Sequence, residues 1–188
     1  MKIALFGGRF DPPHLGHYWV ARQILDFRQD IEKVIFVPAF QHQWKEASAT
    51  PEQRMAMLST FQGDGIELSD IEHLRQGVSY TIDTIRAIKE ETGAEIFWIV
   101  GSDILQEFER WEKAEELVKE ATFLVFPRDP YHLPSVIPKG FEVLKNTNLI
   151  TSNLSSTGIK RRRKDGLSLK GFVTKEVEEY IMKHNLYI

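Results

Sequence analysis

The chain has 188 residues, 42% of them hydrophobic and 27% charged, with a net charge of −3 and no cysteine. That length suits a single domain over residues 1–188 with its own core, and a near-neutral balance gives no general attraction to nucleic acid. The lack of cysteine excludes disulfides and thiolate metal centres and fits a reducing cytoplasm. No apolar run reaches membrane-spanning length and no signal peptide is expected.

Ile3-Ala4-Leu5-Phe6 reads as a buried first strand. The string Gly7-Gly8-Arg9-Phe10-Asp11-Pro12-Pro13-His14-Leu15-Gly16-His17 follows, and an amphipathic run from Tyr18 to Phe27 then reads as a helix. A strand, a glycine turn and a helix start in that order bring backbone N–H groups to one point, which suits phosphate. His14 and His17 are three apart and share a face at helical spacing. Imidazoles so placed can donate to a polyphosphate and stabilise charge that develops in a transition state. Neither the dinucleotide Gly-x-Gly-x-x-Gly pattern nor a Walker loop is present.

Val34 to Pro38 reads as a second strand, followed by a polar loop from Ala39 to Ala49. Thr50-Pro51-Glu52-Gln53 opens a helix: Thr50 can cap, Pro51 suits the first helical position and Gln53 can close a capping box. Ile66-Glu67-Leu68 is a short third strand. Ser79-Tyr80-Thr81 leads into a helix through Ile82, Ile85 and Ile88, stopped at Gly93. Glu95 to Val100 is a strand ending at Gly101-Ser102-Asp103. A helical stretch runs on to Lys119 with a break near Trp111. Thr122 to Phe126 is another strand, residues 127–140 form a proline-rich loop, and Leu149-Ile150 is expected as a last short strand. Ser155 to Lys164 and Thr174 to His184 read as closing helices. This alternation predicts an α/β, Rossmann-like three-layer fold with a mainly parallel central sheet. In such sheets ligands lie beyond the carboxyl ends of the strands. The stretches at Gly7, Phe40, Gly101 and Ser155 are all expected there.

Leu154-Ser155-Ser156-Thr157-Gly158-Ile159-Lys160 fits either an ordinary capped helix or an anion site, with hydroxyls and free N–H groups at the start and a cation one turn in. Lys160 to Lys164 is a run of five basic residues. Consecutive helical positions point in all directions, so one or two can face phosphates while the rest are solvated, and no nucleic-acid partner is expected. Asp103 offers two acceptors to a ribose diol, or an N-cap to the helix after it. Trp111 by default belongs to the core.

Together these strings resemble the nucleotidyltransferase superfamily that carries a His-x-Gly-His motif. Within it they look most like the bacterial nicotinate mononucleotide adenylyltransferases. The Gly7–His17 string matches that family's Gly-Gly-x-Phe-Asp-Pro-x-His-x-Gly-His, and Leu154–Lys160 is similar to its Ile-Ser-Ser-Thr-x-Ile-Arg. Gly101-Ser102-Asp103 is similar to its Gly-x-Asp, and Ser79–Thr84 to a Ser-Tyr-Thr-x-Asp-Thr segment. The resemblance implies adenylyl transfer from ATP to nicotinate mononucleotide, giving deamido-NAD and pyrophosphate. The amide, nicotinamide mononucleotide, stays open as the acceptor; the non-enzyme alternative is a nucleotide-sensing module.

By the same resemblance, ATP would be held by Gly7, Gly8, Arg9, Phe10, His14, His17, Gly101, Asp103, Ser155, Ser156, Thr157, Lys160 and Arg161. Lys45, Tyr80, Thr81 and Trp111 would meet the acceptor. His14, His17, Lys45 and Lys160 would carry catalysis. Mg²⁺ would arrive with ATP, with no protein metal site. Three departures stand out. Arg9 replaces a small hydroxyl. Lys160 replaces an arginine whose task Arg161 could share. His42-Gln43-Trp44 replaces a Pro-Pro-His stretch. Arg54 matches a helix arginine of the family, and a homo-oligomer is compatible with the sequence.

Overall fold

The structure is a computed structural model and describes residues 1–43 and 46–188. Six strands form one sheet: β1 (Lys2–Gly8), β2 (Lys33–Pro38), β3 (Ile66–Leu68), β4 (Glu95–Gly101), β5 (Thr122–Phe126) and β6 (Phe141–Val143). Among the described residues they alternate with α1 (Leu15–Phe27), α2 (Pro51–Leu58), α3 (Ile71–Arg75), α4 (Thr81–Thr92), α5 (Ala114–Glu120), α6 (Ser156–Lys164) and α7 (Lys175–Lys183). The strand order is β3-β2-β1-β4-β5-β6, with every neighbouring pair parallel.

The long strands are nearly continuous apolar runs because a parallel sheet covered by helices is buried on both faces. Ile3, Leu5, Val34, Val37, Phe123 and Val125 are all fully or almost fully buried. One apolar cluster lies under α1, α2, α6 and α7, around Ile24, Met57, Ile159 and Val177. The other lies under α4 and α5, around Ile82, Ile85 and Leu117. The chain winds one way from β1 to β3 and the other way from β4 to β6. The carboxyl ends of β1 and β4 therefore flank the crevice where the topology reverses.

Local signals hold closely. Thr50 and Gln53 exchange hydrogen bonds in a capping box, Gln53 N–H to Thr50 Oγ1 at 3.3 Å and Thr50 N–H to Gln53 Oε1 at 2.9 Å. Gly93 ends α4 in the left-handed region at φ +64°. The break at Trp111 separates two short 3-10 turns, residues 102–106 and 108–110, from α5. The first helix starts earlier than its apolar pattern, so His14 caps it and His17 lies in its first turn.

Leu149-Ile150 is not a strand. The sixth strand is Phe141–Val143, three residues at the sheet edge paired with β5. Ile150 instead pairs its backbone with a side chain: its N–H donates to Gln23 Oε1 at 2.6 Å and its carbonyl accepts from Gln23 Nε2 at 3.0 Å. The buried Gln23 amide takes the place of a strand neighbour. The Ser155 motif therefore follows the 144–154 segment and not a strand end. No described helix is long and apolar enough to cross a membrane.

Candidate active site

The first motif is shaped by contacts that leave little choice of residue. A Cβ on Gly7 would collide with the Trp98 indole. Phe10 turns the chain with φ +49°, a costly value for a residue with a side chain. Its buried ring meets those of Phe6, His17 and Phe36 edge-on, with centroids 4.9–5.6 Å apart. That packing holds the turn and presents the two histidines.

The imidazoles of His14 and His17 stack, with centroids 3.7 Å apart and planes 24° apart. The His14 backbone N–H donates to His17 Nδ1 at 3.2 Å. An accepting Nδ1 places the proton of a neutral His17 on Nε2, where it can be donated onward. Burial pushes the His14 ring down to about 3, helped by the Arg128 guanidinium. Burial also holds His17 well below its usual range, with His14 and Arg128 adding to the effect. Both shifts favour neutral imidazoles, which can donate a hydrogen bond without carrying charge.

These rings line a cleft, open to solvent, at the β1/β4 reversal. Its other walls include Val100 and Gly101 at the end of β4, Phe126 and Arg128 after β5, and Ile150 and Leu154 before α6. Asp103 does not line this cleft but sits against two residues that do, Gly101 and Arg128. Its carboxylate packs over Gly101, where any Cβ would collide with Oδ1. Oδ1 is buried without a hydrogen-bond partner, while Oδ2 lies 3.6 Å from Arg128 Nη1. An unpartnered acceptor beside cleft-lining residues suits a diol.

Arg128 is a site residue that the sequence motifs do not mark. The buried Ser102 hydroxyl accepts the Arg128 N–H at 3.0 Å and so fixes the β5 exit against the β4 exit. The Arg128 guanidinium then reaches the Leu154 carbonyl at 3.4 Å. Its only sequence signal is its place as the first cation after a buried strand.

The second motif docks on the first. Ser155 Oγ caps α6 by accepting the Gly158 N–H at 3.1 Å. Ser156 Oγ donates to the Pro12 carbonyl at 2.8 Å. Lys160 Nζ donates to Asp11 Oδ2 at 3.0 Å and to Ser48 Oγ at 3.2 Å, so its ammonium is directed to the motif's carboxylate. Thr157 is exposed. Arg161 is 85% exposed and 3.8 Å from Asp165, away from the cleft.

Arg54 organises the turn from below. It is 2% exposed. Nη1 donates to the Arg9 and Ala39 carbonyls at 2.9 and 2.7 Å, and Nη2 to the Phe40 carbonyl at 2.9 Å. The glycine turn and the loop after β2 thus share one guanidinium. Arg9 extends into a second hollow beside Phe40 and His42, where Nη1 donates to the Glu46 carbonyl at 2.8 Å. Lys45 and Trp44 lie outside the described residues.

Tyr80 occupies the N-cap position of α4 and Thr81 opens the helix. Ser79 ties this start to the β2 loop, accepting the Phe40 N–H and donating its own N–H to the Gln41 carbonyl, both at 2.9 Å. Trp111 is half-buried, its ring 5.6 Å from Phe108. Tyr80 and Trp111 border the same apolar cluster, on the α4–α5 side of the sheet. Neither they nor Thr81 line the cleft that the histidines face.

Among the described residues, no group of three or more His, Asp or Glu side chains could hold a metal ion.

The cytidylyltransferase-like family model matches residues 5–162. A relative from Thermotoga sp. (strain RQ2), named nicotinate-nucleotide adenylyltransferase, is 36% identical over 186 residues, covering 96% of this chain and 94% of its own. One of the same name from Shouchella clausii (strain KSM-K16) is 34% identical and covers 99% of this chain and 96% of its own. A solved Plasmodium falciparum nicotinic acid mononucleotide adenylyltransferase complexed with NaAD has the same fold, with a TM-score of 0.85, 22% identity, and coverage of 99% of this chain and 97% of that one. With its stacked histidine pair at the β1/β4 crevice, this chain belongs to the cytidylyltransferase-like family and, within it, to the nicotinate-nucleotide adenylyltransferases.

Proposed function

We propose that the protein transfers the adenylyl group of ATP to nicotinate mononucleotide, releasing pyrophosphate and forming the dinucleotide deamido-NAD. The observation that carries this reading is the neutral, stacked His14–His17 pair with its tautomer set, at the crevice where nucleotides bind in doubly wound sheets. The names of the relatives point the same way.

An oxygen of the mononucleotide phosphate attacks the α-phosphorus of ATP. A P–O bond forms to it as the bond to the β-phosphate oxygen breaks, and pyrophosphate departs with the electron pair. The acceptor phosphate is already ionised near neutral pH, so no general base is required. What the site supplies is alignment of two anions and donors where charge grows. The His17 Nε2–H is the proposed donor to the phosphates, with His14 stacked against it. Arg128, which also lines the cleft, contributes positive charge, and Asp103 accepts the ribose hydroxyls. Ser156 and the start of α6 complete the cradle. Magnesium carried in with ATP would supply further neutralisation of charge. Lys45 is proposed to reach the acceptor phosphate, and Tyr80, Thr81 and Trp111 to frame the pyridine ring.

The test is pyrophosphate release with ATP and Mg²⁺, comparing nicotinate with nicotinamide mononucleotide. Release that strongly favours the acid is expected. Release with neither would overturn the assignment, and preference for the amide would keep the chemistry and change the substrate.

A further inference from the structure

The end of the chain returns to its beginning. Tyr187 Oη donates to Asp11 Oδ1 at 2.8 Å, across 176 positions of sequence. The return uses left-handed backbone at two residues that carry side chains, Asn185 at φ +49° and Tyr187 at φ +61°. Such conformations are costly and persist only where the surroundings hold them.

The group they reach is unusual. Asp11 is 1% exposed and sits three residues after Gly8, beside the turn assigned to phosphate. A bare carboxylate there would repel a triphosphate. This one takes four donors: the Ser48 N–H at 2.8 Å, the Ala49 N–H at 3.0 Å, Lys160 Nζ at 3.0 Å and the Tyr187 hydroxyl. Burial pushes its carboxyl up, but Ser48, Lys160, Tyr187 and Ala49 together hold it below the usual value. Three separate segments therefore meet on one side chain: the 46–49 loop, the α6 cation and the C-terminal tail. Lys160 Nζ also stands 5.9 Å over the Tyr187 ring. Tyr187 itself does not line the cleft.

We propose that Tyr187 is a positioning residue of the adenylyl-transfer site, whose hydroxyl locks Asp11 in the orientation that holds Lys160 and the Ser48–Ala49 loop against the phosphate-binding turn. This rests on the function proposed above. It makes the last turn of the chain part of the site rather than a closing ornament of the fold.

Tyr187→Phe separates the two roles, because it keeps the ring and removes the hydroxyl. A role in ring packing alone would leave melting and kinetics both intact, and a merely structural hydrogen bond would lower the melting temperature and leave kinetics intact. Positioning predicts near-wild-type melting, kcat reduced about tenfold, and KM values for both substrates changed far less. Lys160, released from a fixed partner, should also be acylated several-fold faster by an amine-reactive reagent, read by mass spectrometry of the full chain. Asp11→Asn, similar in size, should change both readouts in the same direction.

Unchanged kcat in Tyr187→Phe overturns the proposal, and unchanged Lys160 labelling overturns it whether or not the wild type turns over. If both variants are unfolded at the assay temperature, the contact is structural and the proposal also fails. A wild-type chain inactive toward both mononucleotides would instead defeat the functional reading, while labelling would still judge the link from Tyr187 to Lys160.

Discussion

His17 accepts the backbone N–H of His14 at 3.2 Å while the two rings stack 3.7 Å apart. Three features of the pair set tautomer, orientation and charge. The backbone donor occupies Nδ1, the stacking fixes the ring plane, and burial keeps the pair neutral. Gly16 allows the arrangement, since a Cβ there would lie 3.0 Å from His14 Nδ1 and 3.2 Å from Leu154 Cβ.

Replacing His17 by Ala should reduce kcat by about 10²–10³, the usual loss when one pre-aimed donor to developing charge is removed. Its ring packs on Phe6 and Phe10, so a modest drop in melting temperature should accompany the loss. Pyrophosphate release and a melting curve on the same preparation check this. Near-wild-type turnover would remove His17 from the mechanism.

Acid should destabilise the fold through the same pair. The His14 pKa is depressed to about 3 in the folded chain and that of His17 is also well below 6.5. Once unfolded, both would titrate near their ordinary value. Between those limits the unfolded state binds more protons, so stability rises with pH there. The pair costs nothing above about pH 6.5, and as pH falls below it each histidine removes at most about 1.4 kcal/mol per pH unit. Urea titrations between pH 7.5 and 5 on the wild type and on His14→Gln/His17→Asn should show a shallower pH dependence in the variant. Parallel curves would show that the histidines are not held neutral by the fold.

Asp103→Ala should raise the KM for ATP by about tenfold or more, the scale of lost hydrogen bonds to a charged group. Its effect on the KM for the mononucleotide should be small. The sharper check uses 2′,3′-dideoxy-ATP. The wild type should discriminate against it and the variant should discriminate much less. Equal discrimination would place the ribose elsewhere.

Much of this was legible in the chain. Continuous apolar runs marked the buried strands, Thr50, Gly93 and Thr174 marked helix ends, and the Gly7–His17 string marked the crevice. Leu149-Ile150 misled because its β-rich pair has the composition of a strand, while its actual partner is a glutamine side chain on α1. The true edge strand, Phe141–Val143, is too short for its alternation to stand out. Arg54 could be seen as a helix arginine, but not as the buried guanidinium that serves three carbonyls.

The sequence by itself determined the fold class and the five strands from β1 to β5, because those follow from apolar runs, periodicity and capping, which are properties of neighbouring residues. Only the tertiary structure decided the direction of Lys160, the place of Arg128, the hub at Asp11 and the return of Tyr187. Each is a contact between residues 26 to 176 positions apart. Nothing in local pattern states which distant carbonyl or carboxylate a cation will meet; packing of the helices on the sheet supplies that choice.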